Sequence, residues 1–220
     1  RSAFFIGENN TPLYNIIISL SEFSPFLADL IVFAVFILCV FLFNSVLSAN
    51  RLVNKYSTFG ALTFVLMMCC VSDLRSCYPF MLSCPFILMV MHTLFLIYQT
   101  DNPENYMMNV GYFIAIASLF YYPSIFLMIW VFISFIIFGY RKLRYLLIPF
   151  VAFMIINFIV IGLFFLIGDF NALIESYLTF FKNMSLSFEL SLINTIFLSI
   201  LTILFFISLL IIFGNRNSDY

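Results

Sequence analysis

One long apolar run constrains the fold of this chain more than any other feature. It extends from Val110 to Phe138, about 29 residues without a charged side chain. The hydrocarbon core of a bilayer takes roughly 20 helical residues to cross. The run is therefore too long for one upright helix and short for two, and Tyr121-Tyr122-Pro123-Ser124 lies near its middle. That tetrapeptide is either a kink in one helix or a break between two short ones.

The rest of the chain is just as apolar, and this decides the class of protein. Hydrophobic residues make up 65% of the 220 residues and charged residues 9%, against roughly 45–50% and about 25% in soluble domains. A soluble fold of this size could not bury so much apolar surface. A transmembrane barrel would show alternating segments of about ten residues, whereas the runs here are continuous. The sequence predicts an all-α, polytopic transmembrane helical bundle.

The other apolar runs give the remaining spans and their orientation. They are Phe26–Ser48, Phe59–Val71, Pro79–Tyr98, Leu146–Ile167 and Leu192–Phe213. Arg51 and Lys55 follow the first run, and Arg141, Lys142 and Arg144 follow the opening run. Lys and Arg in short loops favour the cytoplasmic side, so an even number of crossings should lie between these two basic turns. Either four short crossings or two longer ones would satisfy this.

The local chemistry of the tetrapeptide favours four crossings. Pro123 lacks an amide proton and clashes with the preceding turn, and it pushes Tyr122 away from helical geometry. Tyrosine also prefers the membrane–water interface. We therefore expect crossings at 59–71, 79–98, 108–121 and 123–139, about seven in the whole chain, with one proline-kinked helix as the alternative. Because several of these helices are short or broken, the stretch from 59 to 139 should enclose a cavity open to one side of the membrane.

The same count places residues before Phe26 and the loop 169–190 outside, and the C-terminus in the cytoplasm. Both external segments are amphipathic. In "ALIESYLTFFKN", Leu173, Ile174, Tyr177, Leu178 and Phe181 recur at helical spacing, which is typical of a helix lying in the headgroup layer; an ordinary loop is the alternative. We expect one integral membrane domain over 1–220, with a further transmembrane helix upstream.

Two resemblances extend this reading. Residues 13–170, with an Asn-Lys-Tyr turn, the stretch "GYFIAIASLFYYP" and a basic turn before "LIPF", resemble a multi-helix inner-membrane family of Bacteroidota. That family has no established activity, and its members begin with one more helix. The resemblance implies a multi-pass protein of a bacterial inner membrane.

The second resemblance is to polytopic glycosyltransferases of the C-type fold, which use polyprenyl-phosphate sugars. It lies in the order of short helix, break, apolar helix and basic turn over "GYFIAIASLFYYPSIFLMIWVFISFIIFGYRKLRYLLIPF". It implies a catalytic acid in the first external loop, for which Glu8 and Glu22 are candidates. The Asp-Glu pair expected there is missing, which puts the enzyme class in doubt.

Few other residues carry chemistry. Asp29, one turn inside the first span, is a second candidate catalytic acid, although a carboxylate there also favours the helix dipole. Asp73, Arg75 and His92 are candidate substrate-binding residues, with a solvated charge pair and a structural histidine as the alternatives. The five cysteines show no metal-ligand spacing. We expect no metal and no cofactor.

Two functions therefore stay open. The first is a glycosyltransferase-like membrane enzyme acting on lipid-linked envelope precursors, in which Glu22 or Asp29 activates the acceptor and Arg75 holds the lipid phosphate. The second is a non-catalytic membrane subunit that scaffolds an envelope or secretion complex. The expected partners are membrane lipids, a polyprenyl-phosphate-linked substrate in the first case and other membrane proteins in the second, with no role for nucleic acid.

Overall fold

The computed structural model describes a helical chain with these residues: 11, 13–14, 25–51, 53, 57–69, 78–100, 102–140, 142–168, 173–174 and 176–178. Within these ranges all regular structure is helical, which confirms the predicted all-α class. The helices are α1 (Pro25–Ala49), α2 (Phe59–Cys69), α3 (Tyr78–Gln99), α4 (Glu104–Phe120), a 3₁₀ helix (Tyr122–Phe126), α5 (Leu127–Ile137) and α6 (Leu143–Ile167).

Three of these helices are long and apolar enough to cross a membrane. Their apolar segments are Asp29–Ala49, Pro79–Gln99 and Leu143–Leu166, and shorter apolar helices cover Phe59–Met68 and Tyr122–Ile137. The structure thus supports a membrane protein built from helices. The predicted number of crossings and the single domain over 1–220 stay predictions, as does the predicted last span, Leu192–Phe213, which lies outside the described residues.

The long apolar run is broken and not merely kinked. Helix α4 ends at Phe120, and Tyr121 has extended backbone angles, φ −148° and ψ 102°. A 3₁₀ turn then begins at Tyr122, where the amide of Ser124 donates to the carbonyl of Tyr121 at 3.0 Å. Pro123 lies in the first turn of this new helix, where its missing N–H would have had no helical partner anyway. The break therefore falls one residue earlier than the predicted departure from helical geometry at Tyr122.

The chain reverses direction at this break. Met107, Val110 and Ile114 of α4 share one core cluster with Met128, Val131 and Phe135 of α5. The residues of α4 lie about as far before the break in sequence as the residues of α5 lie after it. Two helices that contact each other in this way run antiparallel and form a hairpin. Val90, Leu94 and Ile97 of α3 complete the cluster.

We call one end of the bundle the Arg144 end. The starts of α4 and α6 and the ends of α1 and α3 lie there. The guanidinium of Arg144 lies 3.1 Å from a carboxylate oxygen of Glu104, so the starts of α4 and α6 are neighbours. The amide of Gln99 donates to the side-chain oxygen of Asn50 at 3.4 Å, which brings the ends of α1 and α3 together. Arg51 and Lys142, from the two basic turns, are therefore at the same end of the bundle. An even number of crossings between the basic turns, four or two, would give this arrangement.

The turn into α6 has a well-defined cap. Gly139 adopts the left-handed conformation with φ 91°, and the amide of Tyr140 donates to the carbonyl of Phe135 at 2.9 Å. The amide of Gly139 also donates to the carbonyl of Ile136 at 3.2 Å. This pair of bonds is the Schellman arrangement that terminates a helix at a glycine. It ends α5 and directs the chain into the basic turn.

Helices α4 and α6 approach each other most closely at a glycine. Gly111 is buried, and a Cβ atom there would overlap the carbonyl oxygen of Pro149 and lie 2.8 Å from the Cβ of Ala152. A small residue at such a crossing lets two backbones meet, as is common between membrane helices. Helix α4 is thus held between α3 on one side and α6 on the other.

Candidate functional site

The densest group of polar side chains described in the structure surrounds the break between α4 and the 3₁₀ helix. We call this group the break cluster: Thr11, Tyr122, Ser124, Asn157, Ser176 and Tyr177. It lies at the end of the bundle opposite Arg144, which we call the Tyr122 end. The ring contact between Phe80 and Tyr121, with centroids 5.8 Å apart, marks the start of α3 at the same end.

Tyr122 is the centre of the break cluster. Its side chain is 1% exposed, and its hydroxyl is hydrogen-bonded to the hydroxyl of Ser176. The rings of Tyr122 and Tyr177 are 4.9 Å apart between centroids. The ring is therefore packed against protein, and the location of Tyr122 at the membrane–water interface stays a prediction.

Two segments far apart in sequence cover the break. The hydroxyl of Thr11, 1% exposed, donates to the carbonyl of Phe120 at 2.9 Å, which is one of the last carbonyls of α4 and lacks a helical partner. On the other side, Leu173 is 4% exposed, whereas Ile174 and Leu178 are 38% and 62% exposed. Of the residues predicted for the apolar face, Leu173 is therefore buried and Ile174 and Leu178 are exposed. The hydroxyl of Ser176 contacts that of Tyr122.

Helix α6 joins the break cluster through an amide in an otherwise apolar helix. The hydroxyl of Tyr177 donates to the side-chain oxygen of Asn157 at 3.3 Å, and the nitrogen of the same amide donates to the carbonyl of Phe153 at 3.0 Å. Burial raises the pKa of the Tyr177 hydroxyl above its usual value of 10.0. The hydroxyl therefore stays neutral at physiological pH and acts as a donor.

The chemistry of the break cluster is that of neutral hydroxyl and amide groups. Ser124 is 3% exposed, and its hydroxyl has no hydrogen-bond partner. None of these six described side chains is a carboxylate or a cation. The cluster can cap helix ends and bind a neutral polar group, and it joins the first residues described, α4, α6 and the segment 173–178.

Of the predicted site residues, the structure describes only Asp29 and His92. Glu22, Asp73 and Arg75 lie outside the described residues, as does Glu8. Asp29 is exposed near the start of α1, and His92 is half-buried on α3, with its Nδ1 buried and without a hydrogen-bond partner. Because α1 and α3 end side by side at Asn50 and Gln99, helical rise places Asp29 and His92 about 20 Å apart along the bundle. These two residues do not form one site.

Two grooves are described, and neither lies at the break. One, of about 530 Å³, lies between α4 and α6 and contains Met108 and Arg144. The other, of about 460 Å³, follows α6 from Phe150 to Ile161. Both are almost wholly apolar. The cavity predicted for 59–139 stays a prediction, and these two grooves lie along α6.

Sequence reasoning missed Asn157 and Ser176. Asn157 had a detectable signal, since a single amide in an apolar span usually contacts another helix or segment. Ser176 had none, because its partner Tyr122 is distant in sequence and only the tertiary fold brings them together.

The fold and the break cluster define the class as a helical protein with apolar, membrane-compatible helices. In the described part, no three His, Cys, Asp or Glu side chains form a group able to hold a metal ion. No family model, curated protein or solved structure matches this chain.

Proposed function

We propose that this chain is a multi-pass protein of a bacterial inner membrane, with its C-terminus in the cytoplasm, that acts as a non-catalytic subunit scaffolding an envelope or secretion complex. The observation that carries this proposal is the exposure of α6. Only 11% of its apolar segment is buried, as is 17% of that of α1, compared with 56% for Pro79–Gln99 of α3. Within the described residues, α6 and α1 therefore each leave a face for neighbouring helices or lipid.

The neutral break cluster also supports a scaffold. Its hydrogen bonds connect helix ends and covering segments, which makes the Tyr122 end a packed structural element. Asp29 and His92 are not among its members. A scaffold needs neither of them in a fixed catalytic geometry.

The test is whether a partner depends on α6. Phe158 is 77% exposed on α6, and a photo-crosslinking residue there should join the chain to one defined protein in native membranes. The matched control is Phe41, 71% exposed on α1, where the same residue should not give that product. Asp29→Asn and His92→Ala should leave the complex intact. Cross-linking to lipid alone at Phe158 would contradict the scaffold.

A glycosyltransferase-like enzyme is the second candidate. It is favoured by the position of Asp29, which is exposed near the end of α1 opposite the Asn50–Gln99 contact and hence toward the Tyr122 end, where the hairpin and its covering segments meet. In this proposal Glu22 or Asp29 activates the acceptor, and Asp73, Arg75 and His92 bind the polyprenyl-phosphate sugar.

The enzyme proposal makes the opposite prediction for Asp29. Membranes containing the full protein should transfer sugar from a polyprenyl phosphate, and Glu22→Gln or Asp29→Asn should reduce turnover at least about 100-fold, the lower range for loss of a general base. Glu104→Gln, at the Arg144 end, is the control and should leave turnover unchanged. Equal turnover in all variants would refute the assignment of these acids.

A further inference from the structure

The groove between α4 and α6 combines an apolar trough with a cation at one end. Leu147, Val151 and Ile155 line its length on α6, and Met108 faces them from α4. Leu147, Val151 and Ile155 are four residues apart on α6, so their side chains form one continuous apolar stripe. Arg144 continues the stripe toward the start of α6 and is the only charged side chain among the described residues that line the groove.

The dimensions of the groove fit a lipid chain. From Leu143 to Ile155 the helix rises about 18 Å, and one leaflet of the hydrocarbon core is roughly 15 Å thick. The groove volume of about 530 Å³ lies within the ordinary range for small-ligand sites, roughly 300–1,000 Å³. Ala152, which lines the groove, lies at the close approach of Gly111 to Pro149, so the backbones of α4 and α6 meet beside it.

The charges at the mouth of the groove select the headgroup. The side chain of Arg144 is 74% exposed, and that of its partner Glu104 is 46% exposed. An ion pair so open to solvent contributes little stability, so a phosphate can displace the carboxylate or share the five donors of the guanidinium. Lys142 is also exposed two residues away. An apolar groove with cationic side chains at one end is complementary to an anionic amphiphile.

We propose that this groove binds an anionic phospholipid of the surrounding bilayer, with its phosphate on Arg144 and one acyl chain along Leu147, Val151 and Ile155. The inference rests on the membrane location in the proposed function, but on neither the scaffold nor the enzyme activity. It assigns a ligand to the Arg144 end, away from the break cluster.

The test breaks the Glu104–Arg144 ion pair by substituting each of its two residues in turn. The full chain is extracted from membranes in mild detergent, supplied with equal phosphatidylglycerol and phosphatidylcholine, and analysed by native mass spectrometry. The wild type should retain phosphatidylglycerol preferentially. Arg144→Gln should lower that retention about fivefold, roughly the effect of one basic residue at an anionic surface, whereas Glu104→Gln should raise it because a repelling carboxylate is removed. If the ion pair has only a structural role, both substitutions should change the retention of phosphatidylglycerol in the same direction. That result would overturn the proposal.

A second pair of variants tests the apolar part of the groove. Val151→Trp should fill the groove and reduce retention of phosphatidylglycerol, while Ile133→Trp, on the exposed face of α5, should not. Ile133 is a matched control for Val151 because the two side chains are 50% and 51% exposed. Equal effects of the two substitutions would refute the groove as the binding site.

The remaining outcomes separate this inference from the proposed function. If Val151→Trp converts a dimer to a monomer, a second copy of the chain occupies the groove and the lipid proposal fails. A protein extracted from membranes that retains both lipids equally refutes the lipid site alone. A protein recovered from the soluble fraction refutes the membrane location and both proposals together.

Discussion

At the residue scale, two glycines in apolar helices show how differently the same residue can be used. Gly111 of α4 lies against the backbone of Pro149, whereas Gly162 of α6 has nothing within 4 Å of where a Cβ would be. The clash at Gly111 is with a carbonyl group, which cannot rotate away like a side chain. The first glycine is therefore required by packing, and the second is not.

We expect Gly111→Ala to destabilise the protein by about 1–3 kcal/mol, the usual cost of inserting atoms into a packed contact. Gly162→Ala should be neutral or slightly stabilising, because alanine is the better helix former by up to about 1 kcal/mol. Thermal unfolding of both variants in the same detergent measures the difference. Equal stabilities would show that α4 and α6 do not meet at Gly111.

The hydroxyl of Tyr177 should make stability fall in alkaline solution. Because burial raises its pKa above the usual value of 10.0, the folded protein holds this proton more tightly than the unfolded chain does. The contribution is fully present below pH 10.0 and is lost as the pH rises through the higher pKa of the folded state. Denaturation between pH 8 and 12 should therefore show a smaller alkaline loss of stability in Tyr177→Phe than in the wild type. An identical loss in both proteins would place this hydroxyl in water.

At the element scale, the break at Tyr121 turns one apolar run into two helices. Pro123 marks the interruption, and this much could be predicted from the sequence because proline excludes a continuous α-helix hydrogen-bond ladder. The extended residue itself is Tyr121, since proline fits the first turn of the following 3₁₀ helix. The local sequence thus predicted the position of the break to within one residue. It did not predict which segments pack over the break.

The hydrogen bond between Tyr122 and Ser176 should couple the break to the segment that covers it. Tyr122→Phe and Ser176→Ala should each destabilise the protein, and the double variant should cost less than the sum by about 0.5–1.5 kcal/mol, the ordinary worth of one hydrogen bond. Unfolding of the wild type and the three variants in one detergent gives the coupling energy. Strictly additive costs would mean that the two hydroxyls do not interact.

At the scale of the whole molecule, the sequence defined the class of structure better than its site. Continuous runs of Phe, Ile and Leu predicted helices, and helices are what the structure shows in the described ranges from Pro25 to Ile167. The pairing of α4 with α6, the cover over the break and the cationic groove all depend on which helix faces meet. In a helix that is apolar all round, no periodicity identifies that face, so these contacts were not predictable from the residues alone.

The distance between spin labels at Asn105 and Lys142 tests the central claim, the antiparallel hairpin of α4 and α5. Both residues are exposed, and unnatural amino acids carrying the labels leave the native cysteines in place. Since Glu104 and Arg144 are in contact, pulsed electron paramagnetic resonance in lipid nanodiscs should give a distance below about 25 Å. One continuous helix would separate these positions by about 55 Å, and a distance of that size would contradict the hairpin.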